Sequence, residues 1–144
     1  MIRVVSWLKK RMLSSAEQFR SLRESDDPDE YRRAAQDEAP IEVWLDVIAR
    51  MPDMRFWVAQ NKTVPVEVLE HLANDTDPRV RDMVARKRKL PETLQIKLAS
   101  DTEPSVRAAL AYNAKVTSRV LAMLMNDGDR LVRDAANRRQ DHAS

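Results

Sequence analysis

Residues 65–142 fall into three consecutive lines of equal length: PVEVLEHLANDTDPRVRDMVARKRKL (65–90), PETLQIKLASDTEPSVRAALAYNAKV (91–116) and TSRVLAMLMNDGDRLVRDAANRRQDH (117–142). The period is 26 residues without a gap, and the columns agree in chemistry. Val68, Leu94 and Val120 align, as do Leu72, Leu98 and Leu124; then come Asp75, Asp101 and Asp127, then Val80, Val106 and Val132, then Arg81, Arg107 and Arg133. Self-similarity at a period of this size marks a repeat architecture, in which units too small to bury a core alone stack on their neighbours. Each line holds two helix starts. Proline suits the first helical position, because its missing N–H would have no partner there and its φ is preset. Pro65 and Pro91 open one helix; Pro78 and Pro104 open the other, with Asp77 and Glu103 placed to favour the helix N-terminus electrostatically. Val68, Leu69, Leu72 and Ala73 share one face of the first helix, and Val80, Met83 and Val84 one face of the second. Helices of about nine residues fall below the ~12–15 at which an isolated helix is even marginal in water, so stability must come from stacking.

Working towards the N-terminus, Pro52, Met54, Arg55, Val58, Ala59, Val64 and Pro65 stand 26 residues before Pro78, Val80, Arg81, Val84, Ala85, Leu90 and Pro91, which carries the array back to Pro40. The first half of that unit, PIEVWLDVIARM, breaks register and lacks the column aspartate, which predicts a shorter turn. The stretch DDPDEYRRAAQDEAP (26–40) reads as a lone second half, since Asp27-Pro28 echoes Asp77-Pro78 and Ala34-Ala35 echoes Val84-Ala85. The expected organisation is an N-terminal helical cap with a degenerate half-repeat over 1–39, and one continuous array over 40–142. Segment 1–24 carries a net charge of +4 and reads as a cationic helix with Val5, Leu8, Met12, Phe19 and Leu22 on one face, weakened at Ser15 and Ala16. Trp7 beside Lys9, Lys10 and Arg11 has the character of a membrane-surface helix, but the packed helix is the preferred reading. No stretch has the apolar run of about 7–15 residues of a secretory signal or the ~20 of a membrane span.

Composition narrows the chemistry. The chain of 144 residues has one glycine, Gly128, where average usage would give on the order of ten. That disfavours folds built on left-handed turns and excludes a glycine-rich phosphate loop. With no cysteine, disulfides, thiolate nucleophiles, zinc–thiolate sites and cysteine-ligated iron–sulfur clusters are out, and a cytosolic (cytoplasmic) location is the simplest expectation. The formal charge is only +2, so electrostatic partners must be argued from clustering.

The stretch LANDTDPRVRDMVARKRKLPETLQIKLASDTEPSVRAALAYNAKV (72–116) resembles the variant leucine-rich repeat, a bacterial relative of HEAT and armadillo repeats. The resemblance covers about residues 40–140. It implies an all-α, right-handed α-solenoid (an armadillo-type superhelix) of about four helical-pair repeats. It also implies that the second helix of a unit can be of 3₁₀ type, which the segment after Pro78 is short enough to be. The six-residue spacing of Asp75 to Arg81, Asp101 to Arg107 and Asp127 to Arg133 is similar to the HEAT pattern. A founding member of the variant family carries a cysteine-bound iron–sulfur module; lacking cysteine, this chain is expected to hold no cofactor and no metal. The resemblance supplies no function, because solenoids serve many partners.

Two constellations could carry function. In the column Arg55, Arg81, Arg107 and Arg133, arginine beside the aspartate column suits bidentate, charge-assisted bonds that tie a turn to its own or the next repeat, so this column reads as a structural ladder rather than a phosphate-facing one. The turns joining repeats, at 60–63, 86–89, 112–115 and 138–141, together hold eight basic residues and one acidic, whereas segment 25–54 has a net charge of −6. Lys62, Arg86, Lys87, Arg88, Lys89 and Lys115 are therefore candidate partner-binding residues, although basic residues at helix C-termini also serve the helix dipole. Trp44, Phe56 and Trp57 lie within fourteen positions; they read first as core closing the array and second as a partner hot spot. His71 and His142 are the only histidines, and no charge relay or carboxylate dyad can be singled out. The function expected is that of a non-catalytic protein–protein interaction module with an unidentified protein partner, a form that an inhibitor or immunity-type regulator could take. The alternative is a nucleic-acid backbone binder using the basic edge; more remote is a HEAT-like DNA glycosylase, for which no catalytic aspartate can be assigned.

Overall fold

A computed structural model describes residues 12–143. These residues form ten α-helices and no strand: α1 Ala16–Glu24, α2 Pro28–Gln36, α3 Ile41–Arg50, α4 Arg55–Gln60, α5 Val66–Leu72, α6 Pro78–Ala85, α7 Glu92–Ala99, α8 Pro104–Tyr112, α9 Ser118–Met125 and α10 Arg130–Ala143. A 3₁₀ turn, Pro52–Met54, leads into α4. The fold is all-α and built of helical pairs on the 26-residue period. The second helices α6 and α8 are α-helical throughout, so the 3₁₀ expectation after Pro78 does not hold; the 3₁₀ geometry sits instead at Pro52, where the turn is shortest. There α3 runs to Arg50 and only Met51 separates it from the next element, while five residues, Ala73 to Asp77, separate α5 from α6.

The prolines punctuate in two ways. Pro28, Pro78 and Pro104 occupy the first helical turn, and Asp27 and Asp77 cap those turns by accepting the N–H of Asp29 and Arg79. Pro40 and Pro91 stand one residue earlier, at the N-cap of α3 and α7. Where proline gives way to Thr117, its side chain accepts the Val120 N–H instead.

The chain groups into two compact units that divide after Val68. In the first, α1 packs on α2 and α3, and α2 on α4, so alternate helices stack in two layers. Helix α1 thus provides the first-helix partner for α2, which the sequence reads as a lone second half. Its N-cap Ser15 accepts the Gln18 N–H at 3.0 Å, while the Gln18 side chain accepts the Ser14 N–H at 2.7 Å. The expected continuous face through Met12 is interrupted: residues 13–15 are non-helical, Met12 is exposed, and the Leu13 N–H donates to the Glu38 carbonyl at 2.7 Å. Val5, Leu8 and the Trp7–Arg11 cluster lie outside the described residues. Leu13, Phe19, Leu22, Val43, Trp44, Val47 and Val58 fill the core of this unit.

In the second unit α6, α8 and α10 stack as one layer, and α7 on α9 as the other. The repeat columns supply the core: Leu72, Leu98 and Leu124, with Val80, Val106 and Val132, are all almost fully buried. Truncating one such leucine would cost about 2–5 kcal/mol, comparable with the whole net stability of a marginal domain.

Candidate functional site

The ladder follows from two spacings. An arginine six residues after one aspartate, on a 26-residue period, stands 20 residues before the next. Arg81 uses both: its Nη1 donates to the Asp75 carbonyl at 2.7 Å, and its Nε and Nη2 donate to the Asp101 carboxylate at 2.8 and 3.1 Å. Arg107 repeats this on the Asp101 carbonyl at 2.6 Å and on Asp127 at 2.8 and 3.1 Å, and Arg133 donates to the Asp127 carbonyl at 2.8 Å. Each aspartate also shapes its own turn: Oδ1 of Asp75, Asp101 and Asp127 accepts the N–H two residues on, at 2.8–2.9 Å. The Asp101 and Asp127 partners hold the Arg81 and Arg107 guanidinium groups even more firmly in their charged form. Burial pushes the Asp127 carboxyl up, but the bonds from Arg107 and the Asp129 N–H outweigh it and hold the group below its ordinary range. Arg55 donates to the Ile48 carbonyl at 2.8 Å. A groove of about 280 Å³ opens on this edge, lined by Asn74, Lys97, Ser100 and the Asp75–Arg81–Asp101 cluster, whose guanidinium is already committed to the ladder.

The other ends of α6 and α8 build the second edge, and here composition misleads about what is exposed. Asn61 and Asn113 are buried. The Asn113 amide donates to the carbonyls of Ala85 and Lys87, both at 2.8 Å, and its oxygen accepts the Lys115 N–H at 2.8 Å. In the first unit, Asn61 does the same to the Ala34 and Asp37 carbonyls at 2.8 and 3.0 Å and accepts from the Thr63 N–H. Arg139, two periods after Lys87, donates to the Tyr112 carbonyl at 2.6 Å. These side chains stitch the end of one second helix to the turn that leaves the next, using carbonyls that a helix end leaves open. Buried Gln95 adds a further tie, donating to the Leu90 carbonyl at 2.9 Å and accepting the Thr117 N–H at 3.0 Å.

The candidate cations divide accordingly. Lys87 is half-buried, and burial pushes its amine down to about 8. Arg86 donates to Asp82 at 2.5 Å. Lys62, Arg88, Lys89 and Lys115 are exposed and make no side-chain ion pair or hydrogen bond among the described residues. Residues 138–141 are not a turn but lie within α10, which runs on because Ala143, and no proline, follows at the period. Beside Lys115, Tyr112 is 53% exposed, and its hydroxyl lies 3.4 Å from Arg138 Nη2.

The aromatic candidates separate as well. Trp44 has no exposed surface and packs edge-on against Phe19 at 5.3 Å, so it belongs to the core and cannot reach a partner, correcting its assignment as a binding residue. Its indole nitrogen is buried without a hydrogen-bond partner. Phe56 and Trp57 are half-buried and edge-to-face at 4.8 Å, and the Arg23 guanidinium lies 3.4 Å over the Trp57 ring. Among the described residues no group of three histidine, cysteine, aspartate or glutamate side chains could hold a metal ion, and no helix is long and apolar enough to cross a membrane. Compared with protein-family models, curated proteins and solved structures, the chain matches none of them.

Proposed function

We propose that this chain is a non-catalytic protein-binding module of the variant leucine-rich or HEAT-like repeat type, whose inter-repeat edge in the second unit meets an acidic protein surface. One observation carries the reading. The ladder arginines are bonded to carboxylates and carbonyls, while Arg88, Lys89 and Lys115 stay exposed without a carboxylate, and an exposed tyrosine, Tyr112, stands in the turn of Lys115. Lone cations flanking an exposed aromatic combine electrostatic steering with the kind of anchor that dominates protein interfaces. A small rigid binder of this form suits a regulator or inhibitor.

The test is capture from a native extract by the tagged chain and by an Arg88→Glu/Lys89→Glu/Lys115→Glu variant with an unchanged melt. A protein retained by the native edge, released by the variant and indifferent to nuclease supports the reading. Release by nuclease would transfer the edge to nucleic acid, and equal retention by the variant would remove the edge from the argument.

A further inference from the structure

Resting on that protein-binding reading, we infer that the edge takes an acidic polypeptide segment whose carboxylates recur at the spacing of the repeats, with Tyr112 as a further contact in the turn of Lys115. Lys89 and Lys115 hold the same place in successive repeats. Their turns are neighbours in space, because the Asn113 amide reaches the Lys87 carbonyl and its oxygen accepts the Lys115 N–H. Packed helices lie about 8–10 Å apart, so the two ammonium groups recur at about that pitch. A segment in polyproline II conformation rises about 3.1 Å per residue with three residues per turn, so carboxylates three residues apart share one face and meet the same pitch. Arg88 supplies an adjoining cation in the first turn.

The strip is short. The third place in the lysine column is Asp141, an exposed carboxylate, so the lysine column covers two repeats, and beyond it the basic side chains are Arg138 and Arg139 of α10. Duplex DNA presents one charge per ~1.7 Å of axis, several times denser than one lysine per repeat, and Asp141 puts a carboxylate next in the lysine column. The charge pattern therefore fits sparse carboxylates better than a phosphate backbone. Tyr112 opens the second turn, on the side facing α10, with its backbone carbonyl held by Arg139 and its hydroxyl near Arg138, and presents half its surface outward. A ring in this position offers apolar contact to the stretch that follows the carboxylate on Lys115, at little ordering cost.

The experiment is fluorescence anisotropy with three labelled probes on the full chain. One is a peptide with glutamate at every third position, the second has the same composition with its glutamates in one block, and the third is a single-stranded oligonucleotide of equal charge. The spaced peptide is expected to bind severalfold more tightly than the block, with binding weakened roughly tenfold by Lys89→Glu/Lys115→Glu and less by Tyr112→Ala. Lys89→Met/Lys115→Met, which keeps the side-chain bulk, should weaken it too, and an unchanged melt for either pair verifies folding. Equal binding of spaced and blocked peptides, or tighter binding of the oligonucleotide, overturns the inference. If no probe binds while the glutamate variant still releases a captured protein, the acidic-segment inference fails and the protein-binding reading stands; if the variant releases nothing either, both fail.

Discussion

Replacing Arg107 with alanine removes three hydrogen bonds at once: one to the Asp101 carbonyl, which closes its own repeat, and two to the Asp127 carboxylate in the next. The arginine side chain is 16% exposed and the aspartate 8%, so the surface ion-pair value does not apply. Removing one partner of a fully buried pair costs about 3–5 kcal/mol, because the other charge is left uncompensated. Here water reaches part of the guanidinium site and Asp127 keeps the Asp129 N–H, which lowers the expected loss to about 2–4 kcal/mol. At roughly 3 °C per kcal/mol for a chain of this size, the melting midpoint should fall by about 6–12 °C. Arg107→Lys keeps the charge and loses the fork, so it should fall between the two. Arg107→Ala/Asp127→Ala should lose less than the sum of the single changes, since no carboxylate is then stranded. Because the folded Asp127 carboxyl is held below its ordinary range, its stabilisation is present above the unfolded value near ~3.9 and is lost as pH falls through the folded one. The gap between native chain and Arg107→Ala should therefore narrow in acid. Thermal melts followed by circular dichroism decide it: a midpoint for Arg107→Ala within about 2 °C of the native one at pH 7 would refute the ladder as a source of stability.

Asn113→Ala should cost about 2–3 kcal/mol in denaturant unfolding, because it strands the Ala85 and Lys87 carbonyls and the Lys115 N–H in a buried turn; a loss no larger than a surface change would refute the stitch. Lys87 gives stability the same direction with pH, in an alkaline window. Its folded amine titrates near 8 against 10.5 ordinarily, so the unfolded chain holds the extra proton between those values and stability attributable to this group rises across that window. Lys87→Met should remove that rise, flattening the pH dependence of stability between about 8 and 10.5; an unchanged slope would refute it. Gly128 has no positive φ, and an added Cβ would meet nothing within 4 Å. Gly128→Ala should therefore raise stability by about 0.4–1 kcal/mol through the unfolded state, and destabilisation in the same melt would show hidden strain.

Helix pairing, the proline starts, the leucine and valine core columns and the shorter turn at Pro52 were all legible in the residues, because each depends on local spacing alone. Alternate helices of the first unit stack as they do in the second, although α1 shares no column with later first helices. That place could not be read, since many apolar sets satisfy the same packing requirement. The stitch was illegible for a related reason. Asn61, Asn113 and Arg139 do one job, donating to carbonyls at a helix end, yet the column reads Asn, Lys, Asn, Arg and shows no shared type. Charge counting over the turns passed over the neutral asparagines and merged half-buried Lys87 and Arg139 with exposed lysines. Trp44 and Trp57 likewise look alike in sequence, and only the packing of α1 on α3 closes over the first.

Period arithmetic separates structural from available charge. Arg81 and Arg107 each stand 20 residues before an aspartate, and the repeat itself delivers the partner. Lys89 and Lys115 also recur at the period, but 20 residues after them stand Ala109 and Ala135, both buried and neither able to pair. A cation repeated in register with no internal ion pair adds no bond of the ladder kind between repeats. On the function proposed above, that recurrence is what a partner would meet. This predicts that Lys89→Met/Lys115→Met leaves the melt unchanged while weakening the salt-sensitive binding of acidic peptides; a fall of several degrees would place these lysines with the ladder instead.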